Sequence, residues 1–495
     1  MRLLLLGLLV TILAVPAIAQ EEETSSGTAI QPIEPAAHTP PSDAPSDRVG
    51  RFSLVSGNVS VRTSDKWLDG ELNFPVAAGA SVRTGPKAKA EIEIGADTIE
   101  LTSESEIEIT RLDDRAIRVD VVRGQIRFAL QRLGDGESVG VDVSGENIPL
   151  LESGHYEIDA GSGVVAVSTE GTRSDFDETR LAAPYYISPD VTGFTALDAS
   201  GTWESTSQYG IVWIPTGLPA DWAPYRDGHW RWILPWGWTW IDDQPWGFAT
   251  AHYGRWTVVD GRWEWVPGSF VEHPVYAPAM VAFLGTAGVG LSVADAAGPA
   301  IAWFPLAPGE VYWPSYTRNL DYVRNLNLGN IADVSVIQLD ANGDPPLEVF
   351  HEHFANRRFA GVVPRRVFWN GGAVTPALLS LPEQRLLNAP VLMGSPQIGP
   401  LETRVAAAPA TKQPNPRSAW TNRIAALVAR GISRAKALQT AYAQLRVHEP
   451  AARLHDGHLR VPAYAKSSPR HTILLRVAHE GPPPAHGGAG KVARH

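Results

Sequence analysis

The sequence predicts a mainly all-β protein, and three observations carry that prediction. Short runs of alternating apolar and polar residues recur from Arg51 onward. Asp-Gly and Pro-Trp-Gly turn signals separate aromatic-rich runs between residues 229 and 265. The 45 Gly and 40 Pro break the chain into turns and loops throughout. At 495 residues the chain exceeds what one hydrophobic core supports, so it divides into domains and linkers. Apolar residues at 44% and charged residues at 19% leave enough material for globular cores.

The first element is a signal for export. MRLLLLGLLVTILAVPAIAQ has a basic start at Arg2, an apolar run from Leu3 to Val15 and a small-x-small end at Ala17-Ile18-Ala19. This pattern predicts a signal peptide over residues 1–19, cleaved between Ala19 and Gln20, because the apolar run is short for a bilayer span of about 20 residues. The expected location is periplasmic or secreted, with no integral membrane span after cleavage. The chain contains no cysteine, which excludes disulfides, thiol chemistry, cysteine zinc sites and lipid attachment through an N-terminal Cys. Packing alone has to stabilise the fold.

Residues 20–49 are rich in Pro, Ser, Thr and Glu with scarcely an apolar pair, and predict a disordered linker. From residue 50 to about 178 the texture changes to strands. In AEIEI, Ile92 and Ile94 face one way while Glu91 and Glu93 face the other, and Ile107 and Ile109 repeat the pattern. Turn signals every eight to twelve residues predict a β-sandwich or a short β-solenoid.

The same residues carry a resemblance. SGNVSV, Trp67, VAAGASVRTGPKAKAEIEIGADTIELTSESEIEI, VVRGQIRF and GHYEID together resemble a FecR-type domain over roughly residues 51–172. The resemblance implies a periplasmic β-domain, known best in regulators that relay a signal across the inner membrane to a sigma factor. Here the domain follows a signal peptide and linker with no cytoplasmic segment or internal span between, so the regulatory role is not carried over.

Residues 185–380 form the tryptophan-rich part, predicted as an antiparallel β-meander. Nine of the 17 Trp of the chain fall between residues 229 and 265. Trp230 and Trp232, a Pro-Trp-Gly turn, then Trp238 and Trp240 make one hairpin. Trp256 and Val258, an Asp260-Gly261 turn, then Trp263 and Trp265 make an imperfect repeat of it. In each hairpin the aromatics share one parity and project from one face, and the rings of the two ribbons are expected to line up along a single side. The other face receives Arg231, Ile233, Thr239 and Ile241, then Arg255, Thr257 and Glu264. That last set is suited to water, with Arg255 and Glu264 as a cross-strand pair.

Seven indoles are therefore candidates for stacking on a ligand: Trp230, Trp232, Trp238, Trp240, Trp256, Trp263 and Trp265. The competing reading buries them. Each buried aromatic removes about 150–250 Å² from water, and seven exposed rings would exceed the few hundred Å² of apolar patch a monomer tolerates. Magnitude favours a core or intersheet layer over an open platform for glycans or a protein interface. The stretch YGIVWIPTGLPADWAPYRDGHWRWILPWGWTWIDDQPWGFATAHYGRWTVVDGRWEWVPG, with VYAPAMVAFLG and WFPLAPGEVYWPSY after it, is similar to a Trp-rich bacterial domain found downstream of FecR-type domains. That resemblance, over about residues 209–330, implies no activity and no site residues.

Residues 381–495 read as a Pro/Ala-rich basic tail. From Arg404 onward it carries 15 Lys/Arg against 3 Asp/Glu, a net +12 in a chain of net charge −11. Apolar spacing from Trp420 to Leu445 predicts helix over 417–447, one or two pieces divided at Gly431, and the GPPPAHGGAGKVARH ending predicts disorder. A basic tail on an acidic body can bind anionic envelope polymers or fold back on its own protein.

Chemistry is sparse. Asp242 and Asp243 are neighbours that a strand would point to opposite faces, and their setting before Gln244-Pro245 reads as a turn. His351-Glu352-His353 offers two imidazoles but no third ligand at metal spacing, and His252 reads as a bridge between strands. No nucleophile, phosphate-loop, dinucleotide or zinc-protease motif is present, so no catalytic residue, metal or cofactor is expected. The sequence points to a non-enzymatic envelope protein that binds, scaffolds or assists in sensing. A glycan-binding module comes second, and a glycan-active hydrolase after it. The expected partners are an envelope polysaccharide or an envelope protein rather than nucleic acid, and the oligomeric state is not written in the sequence.

Overall fold

Alternation of apolar and polar residues is realised as two packed sheets in the first half of the chain. The computed structural model describes residues 44–168, 181–286, 290–291, 299–339, 354–392, 394–396, 398–399 and 472–476. The signal peptide, most of the linker, His351-Glu352-His353 and the helix expected over 417–447 lie outside them.

The first sheet has eight strands, in spatial order Thr472–Arg476, Val164–Ser168, Gly154–Asp159, Gln125–Leu130, Asp97–Leu101, Lys89–Ile94, Gly50–Ser56 and Pro75–Val76. The second has seven, in the order Glu146–Leu150, Ser138–Val143, Ala116–Arg123, Glu106–Leu112, Ser81–Thr84, Val59–Arg62 and Trp67–Asp69. Single strands and hairpins alternate between the sheets, and both sheets advance in the same direction along the chain. The sandwich is thus wound as a short coil, which is why the sequence reads as either a sandwich or a solenoid. Ile92, Ile94, Ile107 and Ile109 all point into the shared core, as their parity predicts. Each such side chain contributes about 1.5–3 kcal/mol through burial.

The described fold includes the last residues of the predicted linker. Arg48 and Val49 are buried, and the main-chain carbonyl of Asp47 accepts from Tyr276 N–H at 3.0 Å. These linker residues are held by partners far along the chain, which local composition does not reveal.

The tryptophan-rich half is β-rich, but it is three small sheets rather than one meander. A four-stranded sheet orders Gly201–Thr206, Gly210–Pro215, Arg262–Val266 and Arg255–Val259. Gly228–Ile233 and Gly237–Asp242 form a separate two-stranded sheet. The third orders Gly361–Pro364, Ala300–Pro305, Val281–Leu284 and Val391–Leu392. The last strand, with helix Glu383–Asn388 before it, carries this half beyond residue 380. Both hairpins form where predicted. Asp260 and Gly261 both take positive φ (51° and 80°), the backbone a two-residue hairpin turn requires.

Short helices fill the gaps between sheets. Gly247–His252 is buried along its whole length. Leu320–Asn327 starts on Asn319, whose side chain accepts from the N–H groups of Asp321 and Tyr322, the usual service of an N-cap. Among the described residues no helix is long and apolar enough to cross a membrane. One apolar cluster runs from Val49 through the sandwich and into the tryptophan hairpins, so the two β-rich halves share a core.

Candidate functional site

Cross-strand register decides where the seven candidate indoles go. Trp230 faces Trp240 and Trp232 faces Trp238 in the first hairpin; Trp256 faces Trp265 and Val258 faces Trp263 in the second. Directly opposed residues in an antiparallel pair share a face, so the predicted parity holds within each hairpin. The two ribbons belong to different sheets, however, and their rings do not form one continuous row.

Six of the seven candidates are buried: Trp230, Trp238, Trp240, Trp256, Trp263 and Trp265. Trp230 lies 5.3–5.5 Å, centroid to centroid, from Trp240, Phe283, Trp303 and Phe368. Trp256 meets Trp222 at 5.6 Å, Trp222 meets Trp246 at 5.7 Å, and Trp246 meets Trp213 at 5.0 Å. Most of these rings have also committed their N–H groups. Trp256 donates to Thr250 O (3.0 Å), Trp265 to Tyr253 O (2.9 Å), Trp238 to Ile398 O (2.7 Å), Trp213 to Leu197 O (3.0 Å) and Trp303 to Tyr225 O (3.1 Å). Gly254 shows how closely the backbone fits the rings. It has φ +64°, and a Cβ there would fall 2.6 Å from Trp265 Nε1.

Trp232 is the exception at 37% exposure. Its ring meets Trp238 edge-on (5.5 Å, 83°), and exposed Leu234 follows it in the turn. Of the predicted stacking row, only this edge faces solvent.

The other face of the hairpins departs from expectation. Arg255, Thr257 and Glu264 are buried, not wet, because the rest of the fold covers both faces of the second hairpin. The strand register places Arg255 opposite Val266 and Glu264 opposite Thr257, so the expected Arg255–Glu264 pair does not form. Arg255 instead donates to Glu310 O (3.1 Å), Gly254 O (2.8 Å), Asn327 Oδ1 (2.8 Å) and Met280 Sδ (3.1 Å). Burial pulls its guanidinium down to about 10, still charged at neutral pH. Glu264 pairs with Arg262 at 2.8 Å.

The conspicuous titratable groups serve the fold. Asp242 ends its strand: Oδ2 accepts from Trp240 Nε1 (2.8 Å) and Oδ1 from Gln244 N–H (2.9 Å). Burial pushes its carboxyl up to about 7. Asp243 points outward and is exposed, so the two carboxylates do not converge. His252 closes its helix and bridges to Ala277 O at 2.7 Å, and complete burial holds the imidazole neutral, at about 3. Among the described residues no three His, Asp or Glu side chains group as a metal site would.

A polar seam between the sandwich and the tryptophan-rich half escaped the sequence reading. Glu71 binds His229 Nε2 (3.2 Å) and Arg231 Nε (3.0 Å), using residues placed on the hairpin face opposite the indoles. Arg51, buried with Glu93 at 2.6 Å, also donates to Pro245 O at 2.6 Å. Asp190 gathers Arg132 (2.6 Å), His273 (2.8 Å) and Arg48 (3.7 Å), and Arg48 also faces Asp97 (3.7 Å) and Glu137. The cations hold the Asp190 carboxyl below its ordinary range against the opposing effect of burial. Desolvation carries Asp97 up to about 7 and Asp47 to about 6. No local pattern announces these groups, because their partners lie up to 194 residues apart.

Neither a curated protein nor a solved structure matches the chain. Residues 194–310 match the model of DUF6600, a family of unknown function, so the stretch that holds both tryptophan hairpins is similar to that family.

Proposed function

We propose that this chain is an exported, non-catalytic protein of the bacterial envelope that binds or scaffolds, with its first β-rich half a FecR-type domain. The observation that carries the reading is how the buried Asp242, His252 and Glu264 are spent. Asp242 is committed to Trp240 and Gln244, His252 to Ala277 and Glu264 to Arg262. An acid–base pair needs two groups within reach of one substrate, and these serve separate structural contacts. The residue 1–19 export pattern and the absence of cysteine support the location. The ordered series of motifs between residues 51 and 172 supports the FecR-type assignment.

The test incubates the purified mature protein with peptidoglycan sacculi and with exopolysaccharide, following co-sedimentation and soluble product together. Retention without released fragments is the expected result. Steady product release that Asp243→Ala abolishes while circular dichroism stays unchanged overturns it.

The exposed edge of Trp232 favours a second reading, a glycan-binding module reduced from seven rings to one. Saturable fluorescence quenching by peptidoglycan fragments, lost in Trp232→Ala, is its signature. An unchanged spectrum at millimolar glycan removes it.

A further inference from the structure

A polar cleft of about 480 Å³ crosses the outer face of the eight-stranded sheet, with Thr195 of the tryptophan-rich half on its rim. Its size is that of a small-molecule site, and such sites favour the junction of two structural halves. Strand parity makes it. Ile92, Ile99 and Phe128 turn inward to the core, so Glu91, Thr98, Glu100 and Arg127 turn outward. On that outer face Ala129 stands opposite Thr98 on one neighbouring strand and His155 on the other. The small Thr98 and Ala129 form a floor, and the longer Glu91, Glu100 and Arg127, opposite one another in turn, stand along its side. From the strand of Glu91 to that of His155 there are three strand spacings, about 14 Å, room for a chain of sugars rather than a single ion.

Most of the charge here is already matched. Arg51 binds Glu93 at 2.6 Å, and Thr195 Oγ1 donates to the same carboxylate at 2.8 Å. Glu100 holds Lys89 and Arg127, each at 3.2 Å, and Arg127 also reaches Glu157 at 3.1 Å. Glu91 has only a hydroxyl: Ser53 Oγ donates to its Oε1 at 2.6 Å. Four carboxylates against three cations leave one negative charge over, and it falls on Glu91, which is partly exposed. Glu91 also stands directly opposite Glu100, a like-charge pair that destabilises a sheet.

Thr98, Gln131 and His155 add donors and acceptors that are not yet used. All three are partly exposed, and none spends its side chain on a hydrogen bond to another described residue. No aromatic ring except the imidazole lines the cleft, so hydrogen bonds and charge, not stacking, decide what it holds.

We propose that this cleft binds an amino sugar with a free amine, its ammonium on Glu91 and its hydroxyls on Thr98, Gln131 and His155. The ammonium supplies the missing cation beside Glu91 and Glu100 and forms a charge-assisted hydrogen bond. A phosphorylated or uronic sugar would bring a further negative charge to the same place. A plain polyamine would lay methylenes over Thr98, Gln131 and His155 and leave them unserved. The envelope-binding reading enters only as the source of such a sugar, a partly deacetylated envelope polysaccharide.

The full mature protein is titrated calorimetrically with the trisaccharide of glucosamine and with that of N-acetylglucosamine, in physiological salt at a mildly acid pH that protonates the amine. The glucosamine trisaccharide is expected to bind about tenfold or more tighter, the advantage of one charge-assisted hydrogen bond. Glu91→Gln keeps an acceptor for Ser53 and removes the like-charge contact with Glu100, so it erases that difference while the urea midpoint holds or rises. Thr98→Val weakens both trisaccharides, spermidine binds less tightly than the amino sugar, and Trp232→Ala changes neither affinity. Equal affinities for the two trisaccharides, a preference that survives Glu91→Gln, spermidine bound as tightly as the amino sugar, a preference lost in Trp232→Ala, or no binding of either trisaccharide overturns the assignment. Co-sedimentation with sacculi can fail while the trisaccharide preference stands, and the preference can fail while co-sedimentation stands.

Discussion

The side-chain amide of Asn73 donates to the backbone carbonyl of Asp242 at 2.8 Å, joining the sandwich to the end of the first tryptophan hairpin. The same Nδ2 reaches Gln244 O at 2.7 Å, while Oδ1 accepts from Arg51 at 2.7 Å. Asn73 is fully buried and sits at φ 63°, a conformation Asn tolerates better than most residues.

Asn73→Leu tests whether that seam fuses the two halves. It removes three buried hydrogen bonds, leaving Arg51 with Glu93 and Pro245 O and Gln244 O with Gly247 N–H, at a cost of about 2–4 kcal/mol. Urea unfolding followed by tryptophan fluorescence and by far-ultraviolet circular dichroism is expected to shift as one transition with both probes. Two separated transitions in the wild-type protein would mean that the halves unfold independently.

The hairpin indoles should divide sharply by burial. Trp240→Ala empties a position packed against Tyr225, Trp230 and Trp303 and is expected to cost about 3–5 kcal/mol. Trp232→Ala, at an exposed edge, should cost about 1 kcal/mol or less. Equal losses in urea midpoint would show that the two rings are not in the different environments described.

Arg255 is held by the shape of its guanidinium as well as by its charge. It serves four acceptors in different directions, and Lys offers a point charge in place of a fork. Arg255→Lys is expected to lose about 2–4 kcal/mol in chemical denaturation despite retaining the charge. Wild-type stability in that variant would mean that the fork geometry contributes nothing.

Mild acidification should stabilise the protein. Asp97 and Asp242 titrate at about 7 and Asp47 at about 6, against an ordinary value of 3.8. A carboxyl whose folded pKa is raised contributes fully below its unfolded value, and that contribution is lost as pH rises through the folded value. His252 acts in the opposite sense. Its contribution is present above 6.5 and lost as pH falls toward about 3. The depressed carboxyls of Asp190 and Glu71 lose theirs only in stronger acid, below the ordinary carboxylate range. Between about pH 8.5 and 6.5 the raised carboxyls therefore dominate, and the melting temperature is expected to climb as pH drops. Asp242→Asn should flatten part of that slope. A melting temperature that falls across the same window would refute the assignment.

Strand parity, both hairpin turns and the mainly β class were legible in the sequence because each is set within a few residues. A pleat alternates side chains at every second position, and Asp260-Gly261 takes the turn it needs wherever it stands. The basic charge of the tail is an equally local feature, of composition.

What lies against each face was decided by tertiary structure. Phe283, Trp303, Phe368 and Ile398 close over the first hairpin, and Asn327 and Glu310 reach Arg255 behind the second. Those partners come from dozens to well over a hundred residues away, so the pattern that fixes direction carries no record of them. The same distance explains why a face rich in Arg, Thr and Glu reads as wet and folds as dry. It also explains why Asn73 and Glu71, ordinary polar residues in sequence, acquire meaning only from what the chain brings back to meet them.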